Sequence, residues 1–317
     1  MGVPIEALFE ILIRNVRRSG FPVRIPSESL YGWAQDLKLP KGGNTTLYTS
    51  GLYQLIPYIE SLISFLETVE DKKAPGLLIK LGSTISRLID PSKIIAKASK
   101  EELNRSHETL RSIAFMLSME GVDFGYLYED DIYSGALLYD LGIDEEFKKQ
   151  ALKVYDAFKK YGVKRVITVD PHTTHILRSV YPKALEGFDI EVVSYLEVLK
   201  GSGMKRKVED DCVIHDPCIY ARYEEVLEQP RRLLSKAGIK PIEPPRAGKL
   251  TYCCGGPIEM LSPKMALNIA GKRVDELKRM GGKIVTLCPI CYANLSKAGD
   301  EVKVQDISQV LRGAYEG

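Results

Sequence analysis

The sequence predicts an α/β protein of two pseudo-twofold related lobes, each a parallel sheet with flanking helices, on three observations. Short β-rich runs alternate with segments of helical period along most of the chain, the pattern of parallel α/β layers. Two distant stretches repeat one order of helix, glycine, strand and turn. All six cysteines lie beyond residue 211, so halves that share an architecture differ in chemistry.

The elements follow in order. Ile5, Leu8, Ile11, Leu12 and Val16 recur at helical spacing and predict an amphipathic helix. A Pro- and Gly-punctuated stretch with the only tryptophan, Trp33, comes next. Residues 1–44 are expected as an arm or linker, 45–205 as the first lobe and 206–317 as the second. The first lobe reads as TTLYTS, a helix near 54–69, helices through about 79–120, VDFGYLY, a helix near 145–161 ending at Gly162, VKRVITVD, a short helix from about His172, and IEVVS. The second reads as CVIHD, a helix opening at Pro230, KLTY, a helix from Ser262 to about Arg279, KIVTL, a short helix and VKVQD. Ser262-Pro263 predicts an N-cap with proline at the first helical position, and Gly281-Gly282 a stop.

The repeat sets a register. VYDAFKKYGVKRVITVDPHTTHIL in the first half has the order of RVDELKRMGGKIVTLCPICYANL in the second, so Asp170 and Thr173 stand where Cys288 and Cys291 stand. Further back, YSGALLYDLG aligns with CCGGPIEML, with 35 residues between Ser134 and Asp170 against 33 between Cys254 and Cys288. The first lobe thereby has Tyr133, Ser134, Asp170 and Thr173 at thiol positions of the second.

Composition narrows the function. The chain has 317 residues, a prior of about two domains at roughly 150 residues each. Its 44 basic and 42 acidic residues leave a net charge of +2, too small a field to argue for nucleic acid or an anionic membrane. No run of about 18 apolar residues occurs, so no spanning helix is expected. The opening MGVPIEALFEILIRNVRR is acidic within its apolar part and lacks a small-residue cleavage site. A cytoplasmic protein is expected, and there cysteines signal metal or redox chemistry before disulfides.

Five cysteines form a constellation: Cys218, then 34 residues to the pair Cys253-Cys254, then 33 to Cys288, with Cys291 three positions on. Each group follows an expected strand (VIHD, KLTY, KIVTL), which would bring all five to the carboxyl edge of one sheet, where α/β proteins place ligands. Thiolates select iron–sulfur clusters, zinc or cuprous copper. A structural zinc needs four ligands, so a fifth thiol and an adjacent pair fit a multi-iron cluster better. Buried small hydrophobes or a zinc staple are the alternatives. Cys288 and Cys291 flank a helix start, which favours the thiolate.

The pattern Cys218…Cys253-Cys254-Gly255…Cys288-x-x-Cys291, with HDPCIYARY from His215 and with Pro289, resembles the CCG-type cysteine-rich domain of the heterodisulfide reductase family. That family includes the iron–sulfur subunits of glycolate and lactate oxidation systems. Residues 10–52 look like the linker after a ferredoxin-like module in fused members. The resemblance implies one [4Fe-4S] cluster of the unusual non-cubane type on Cys218, Cys253, Cys254, Cys288 and Cys291, with a cubane and one spare thiol as an alternative. It also implies an oxidoreductase subunit that reduces a disulfide or another acceptor. Electrons would come from a ferredoxin-like or flavin-containing subunit in a hetero-oligomer, with the 5–16 helix as a docking candidate. A zinc- or cluster-stapled scaffold is the alternative function. Where two-motif relatives have a second thiol set, the resemblance places Leu52, Tyr133, Ser134, Asp170 and Thr173 in this chain.

Other residues carry weaker signals. Cys212 lies in a β run and is expected to be an inert buried thiol. His172 and His175 with Asp170 offer a first-lobe metal site that lacks further ligands. His215 and Asp216 either hydrogen-bond near the cluster or fix the turn. Arg222, Arg231, Arg232, Arg246 and Lys249 read as a basic face or a solvated surface. Gly255-Gly256 lacks the spacing of a phosphate loop and suggests close backbone approach.

Overall fold

The computed structural model describes residues 5–71, 98–208, 210–299 and 301–316. Helix α1 (Ile5–Ser19) precedes β1 (Thr45–Tyr48), α2 (Leu52–Asp71), α3 (Lys100–Met119), β2 (Gly125–Tyr126), α4 (Asp144–Lys160), β3 (Arg165–Thr168), α5 (Pro171–His175) and β4 (Glu191–Ser194). The second lobe runs β5 (Asp210–His215), α6 (Glu228–Lys236), β6 (Ile239–Ile242), α7 (Pro263–Lys278), β7 (Lys283–Thr286), α8 (Pro289–Ala298), β8 (Lys303–Asp306) and α9 (Ile307–Tyr315). The part of the expected helical stretch from 79 that precedes residue 98 lies outside the described residues.

Each lobe is a four-stranded, all-parallel sheet, ordered β2-β1-β3-β4 in the first and β6-β5-β7-β8 in the second. One topology is used twice, as the repeat predicts. Strands covered on both faces read as continuous apolar runs, and the last three residues of both RVIT and KIVT are buried. Local geometry repeats too: Gly135 and Gly255 both take φ 88° immediately after Ser134 and Cys254. At one point the register shifts. Cys218 lies three residues beyond the end of β5, and the residue three beyond the end of β1 is Gly51, not Leu52.

One sequence expectation fails: KLTY is not a strand, Gly248–Leu250 being a 3-10 turn, and the strand is Ile239–Ile242 instead. Ser262 is the N-cap of α7 with Pro263 at the helix start, as expected, though its side chain makes no capping bond. Helix α6 opens at Glu228, two residues before Pro230.

One core lies between the lobes, joining Trp33, Leu47 and Ile167 to Ile214, Tyr220, Leu287 and Tyr315. A second backs the first lobe and takes Leu12 and Val16 of α1. The third holds Val274, Leu277 and Leu295 together with Cys254, Cys288 and Cys291. The described part of the 1–44 segment packs into the fold: Trp33 is fully buried and meets the Tyr126 ring edge-on at 4.9 Å.

Helix α1 is also pinned by charge. Arg17 donates twice, at 2.8 Å, to the buried Glu146 carboxylate, and Lys149 donates at 2.7 Å. The Arg17 hydrogen bonds, then Lys149, hold the Glu146 carboxyl down at about 2. A depressed carboxyl stabilises the fold above its ordinary value near ~4.3 and loses that contribution as pH falls toward the folded value. Hydrogen exchange is therefore expected to show α1 protected at pH 7 and loosened between about pH 4 and pH 2. In Glu146→Gln the exchange of α1 should become pH-independent over that window; an unchanged profile would remove the pair from α1 docking.

Candidate metal centre

Three chain segments bring the cysteines together. Cys218 follows β5 through Asp216 and Pro217 and opens a short helical turn. Cys288 is the N-cap of α8, in extended geometry, with Pro289 at the first helical position and Cys291 in the first turn. The Cys288 side chain makes no capping bond, whereas at the matching position of the first lobe Asp170 accepts the Thr173 N–H at 2.9 Å. Cys253 and Cys254 arrive on the loop after β6, not directly after a strand.

The five sulfurs form a string. Cys218 contacts Cys253, Cys253 contacts Cys254, Cys254 contacts Cys291, and Cys291 contacts Cys288. At its end the Cys288 sulfur lies 4.0 Å from His172 Nδ1. All are free thiols. A small cavity, open to solvent, is lined by Cys218, Cys254, Cys288 and Cys291 with His172, Pro217, Ile219, Pro257 and Ile290. Among the described residues no group of three or more His, Cys, Asp or Glu side chains is arranged to hold a single metal ion. The donor set fits a larger inorganic core: soft sulfurs from three segments around one cavity, with a fifth donor to spare.

Electrostatics divide the thiols. Burial opposes ionisation of Cys288, but Cys291 and the His172 ring outweigh it and bring the thiol well below its ordinary value. Cys253 is likewise lowered, by contacts with Cys218 and Cys254 and by the Gly255 N–H at 3.3 Å. Cys218, Cys254 and Cys291 are pushed up, chiefly by neighbouring sulfurs. Burial works against a charged His172, yet contact with Cys288 raises the ring to about 9. The lowering at Cys253 and Cys288 favours the thiolate, which is the form that ligates metal.

His172 reaches this cavity because the first lobe is fastened to the second beside it. Thr174 bonds Tyr220 at 3.2 Å, and His175 bonds the buried Glu224 at 2.6 Å. His172, His175 and Asp170 therefore do not converge: one faces Cys288, one pairs with Glu224, and one caps α5. The first-lobe metal site read from the sequence does not form.

Around the thiols lies a polar frame. Asp216, 1% exposed, accepts two bonds from Arg231 at 2.8–2.9 Å and one from the Gly248 N–H at 2.7 Å, while its carbonyl accepts from Thr251. This ties the Cys218 turn to the loop carrying Cys253. Arg273, also fully buried, donates to His215 Nδ1 at 3.1 Å. The basic residues are engaged internally: Arg246 with Glu276, Lys249 with Glu225, and Arg222 and Arg232 with backbone carbonyls. Cys212 sits inside β5, 4% exposed, its thiol raised to about 12 by burial. A Cβ on Gly255 would stand 2.5 Å from the Ala266 carbonyl oxygen at positive φ, and one on Gly256 2.3 Å from Ile290. Gly255→Ala is expected to cost about 1–3 kcal/mol, measured by denaturant unfolding; a cost below a few tenths would show that the loop relaxes.

A family model for the CCG cysteine-rich domain matches residues 212–296. Residues 212–296 are a CCG domain. It contains all five cysteines of the string. The chain is homologous to iron–sulfur oxidoreductases. It is 29% identical over 224 residues to Bacillus subtilis FadF, named "Probable iron-sulfur-binding oxidoreductase", covering 66% of this chain and 32% of that protein. It is 30% identical to the EtfAB:quinone oxidoreductase of Syntrophomonas wolfei, covering 63% and 31%. A probable membrane-anchored ferredoxin of Chromohalobacter salexigens is 27% identical over 67% of this chain and 34% of that one. The CCG-domain chain thus spans about a third of the length of these curated relatives. A hypothetical protein from Helicobacter pylori shares the fold at TM-score 0.50 and 12% identity, over 66% of this chain and 46% of that one. Among the described residues no helix is long and apolar enough to cross a membrane.

Proposed function

We propose that this chain is the electron-transfer subunit of a heterodisulfide reductase-like oxidoreductase, with one four-iron cluster held by Cys218, Cys253, Cys254, Cys288 and Cys291. The observation that carries the reading is the string of five free sulfurs, four of which line one cavity in the CCG domain. Such a cluster supplies one-electron redox chemistry at a potential set by burial and hydrogen bonds to its sulfurs. A non-cubane form accounts for the fifth thiol.

The chain's own residues do the rest. Pro217, Ile219, Pro257 and Ile290 line the cavity with carbon and limit water around the sulfurs. His172, from the other lobe, holds its ring nitrogen against the Cys288 sulfur. The second lobe, from about residue 206, is the redox unit, and the first closes the cavity from the opposite side. Four of the five first-lobe counterparts, Tyr133, Ser134, Asp170 and Thr173, present oxygen rather than sulfur, and the Ser134 hydroxyl bonds that of Ser50 at 2.9 Å. A single cluster delivers electrons one at a time, so a flavin-containing or ferredoxin-like partner supplies them and a disulfide or thiol-derived acceptor takes them. Five free thiols also suit a reducing, cytoplasmic setting.

Iron, zinc and acid-labile sulfide per chain, measured on anaerobically purified protein, test this. About four irons with about four sulfides is the expected result. About one zinc without sulfide, on protein never exposed to air, would replace the reading with a stapled scaffold.

A further inference from the structure

His215 ends β5, three residues before Cys218, and is 1% exposed. Its Nδ1 faces the Nε of Arg273 at 3.1 Å. A guanidinium has donors and no acceptor, so Nδ1 must be the accepting nitrogen and the neutral ring carries its hydrogen on Nε2. Arg273 is itself 0% exposed and held in place: its NH1 donates to the Arg246 carbonyl at 3.1 Å and to Glu276 at 2.9 Å. The tautomer is thus fixed by a buried cation with no freedom to turn away.

The other nitrogen is the unexplained one. His215 Nε2 is buried without a hydrogen-bond partner among the described residues. So is the hydroxyl of Thr286, the residue paired with His215 across β5 and β7, two positions before Cys288. Sealed donors without partners are rare in native proteins and call for a missing group. The cysteine within electrostatic reach of His215 is Cys253, and each acts on the other. Burial and the Arg273 charge hold the ring neutral by lowering it to about 3.

We infer that His215, its tautomer locked by Arg273, donates its Nε2–H to a sulfur of the cluster held beside Cys253, and that Arg273 is a positioning residue acting through it. This rests on the cluster reading above. A donor to cluster sulfur stabilises the reduced, more negative state and raises the potential. The ring is well suited to this: a neutral N–H adds no titrating charge beside the cluster, and the buried arginine prevents the other tautomer from presenting a lone pair to sulfur.

The test begins with the wild-type protein. Its iron and sulfide counts decide the cluster reading alone. With the cluster present, transfer from H2O to D2O is expected to shift the Fe–S stretching bands in resonance Raman spectra. His215→Asn retains an oxygen near the Nδ1 position to accept from Arg273 and removes only the Nε2 donor. It is expected to keep wild-type iron and sulfide, lose the deuterium shift, and disfavour reduction about tenfold, which for one electron is about 59 mV. Arg273→Gln, which frees the ring, should move the potential in the same direction by a smaller amount. An unchanged potential in a fully loaded His215→Asn would overturn the inference and leave the Nε2–H to an internal water. Deuterium-insensitive bands in the wild-type cluster would overturn it without any variant. Loss of iron in His215→Asn would count against it as well, assigning the ring to assembly instead of tuning.

Discussion

Cys288→Ala, purified anaerobically, is expected to hold less than about one iron per chain where the wild type holds about four, with matching loss of visible absorbance. Cys288 is the sulfur on which most of the site converges. It is fully buried, stands at the N-cap position of α8 and meets His172. The alanine takes away the thiolate, and with it the partner of an imidazole supplied by the other lobe. Cys212→Ser is the control: that thiol lies inside β5, outside the string, and its iron count should match wild type. Full iron in Cys288→Ala, or equal losses in both variants, would break the assignment of Cys288.

What the sequence discloses and withholds follows from where the determining forces lie. Strands β3 and β7 are legible because both faces of a parallel strand are covered, so their apolar runs are unbroken. The repeat is legible because each lobe needs the same turns, down to the glycine after Ser134 and Cys254. Strand β6 is hidden, and KLTY reads as a strand in its place, because Ile239–Ile242 contains Pro241, a residue that argues against a strand. At the sheet edge the argument lapses, since a missing N–H need not break a ladder bond there, and β6 is an edge strand. His172 reads as part of the first lobe, and only the packing of lobe on lobe takes it to Cys288. Arg273 lies in GKRVDELKR, which resembles a solvated helix face; its burial depends on His215 and Glu276 in the folded chain. The only local trace is the i,i+3 spacing of Arg273 and Glu276.

The largest stability effect is expected at Asp216, where the frame of the site depends on one carboxylate. Arg231 reaches it with two nitrogens, at 2.9 and 2.8 Å, with side-chain exposures of 18% for the arginine and 1% for the aspartate. Removing one partner of a buried pair leaves the other's charge uncompensated and costs about 3–5 kcal/mol. Arg231 retains Glu243 at 2.7 Å, on the more exposed side, which places Asp216→Ala toward the lower end of that range. The Gly248 N–H loses its acceptor as well. Chemical denaturation should show the loss, and apolar replacement of both partners, Asp216→Leu with Arg231→Met, should recover part of it, because no stranded charge remains. The same clamp joins the Cys218 turn to the Cys253 loop, so Asp216→Ala is also expected to release iron to a chelator faster than wild type under native conditions. A cost below about 1 kcal/mol, the range of exposed pairs, would mean that water already screens this bridge, and that the thiols keep their places by chain packing alone.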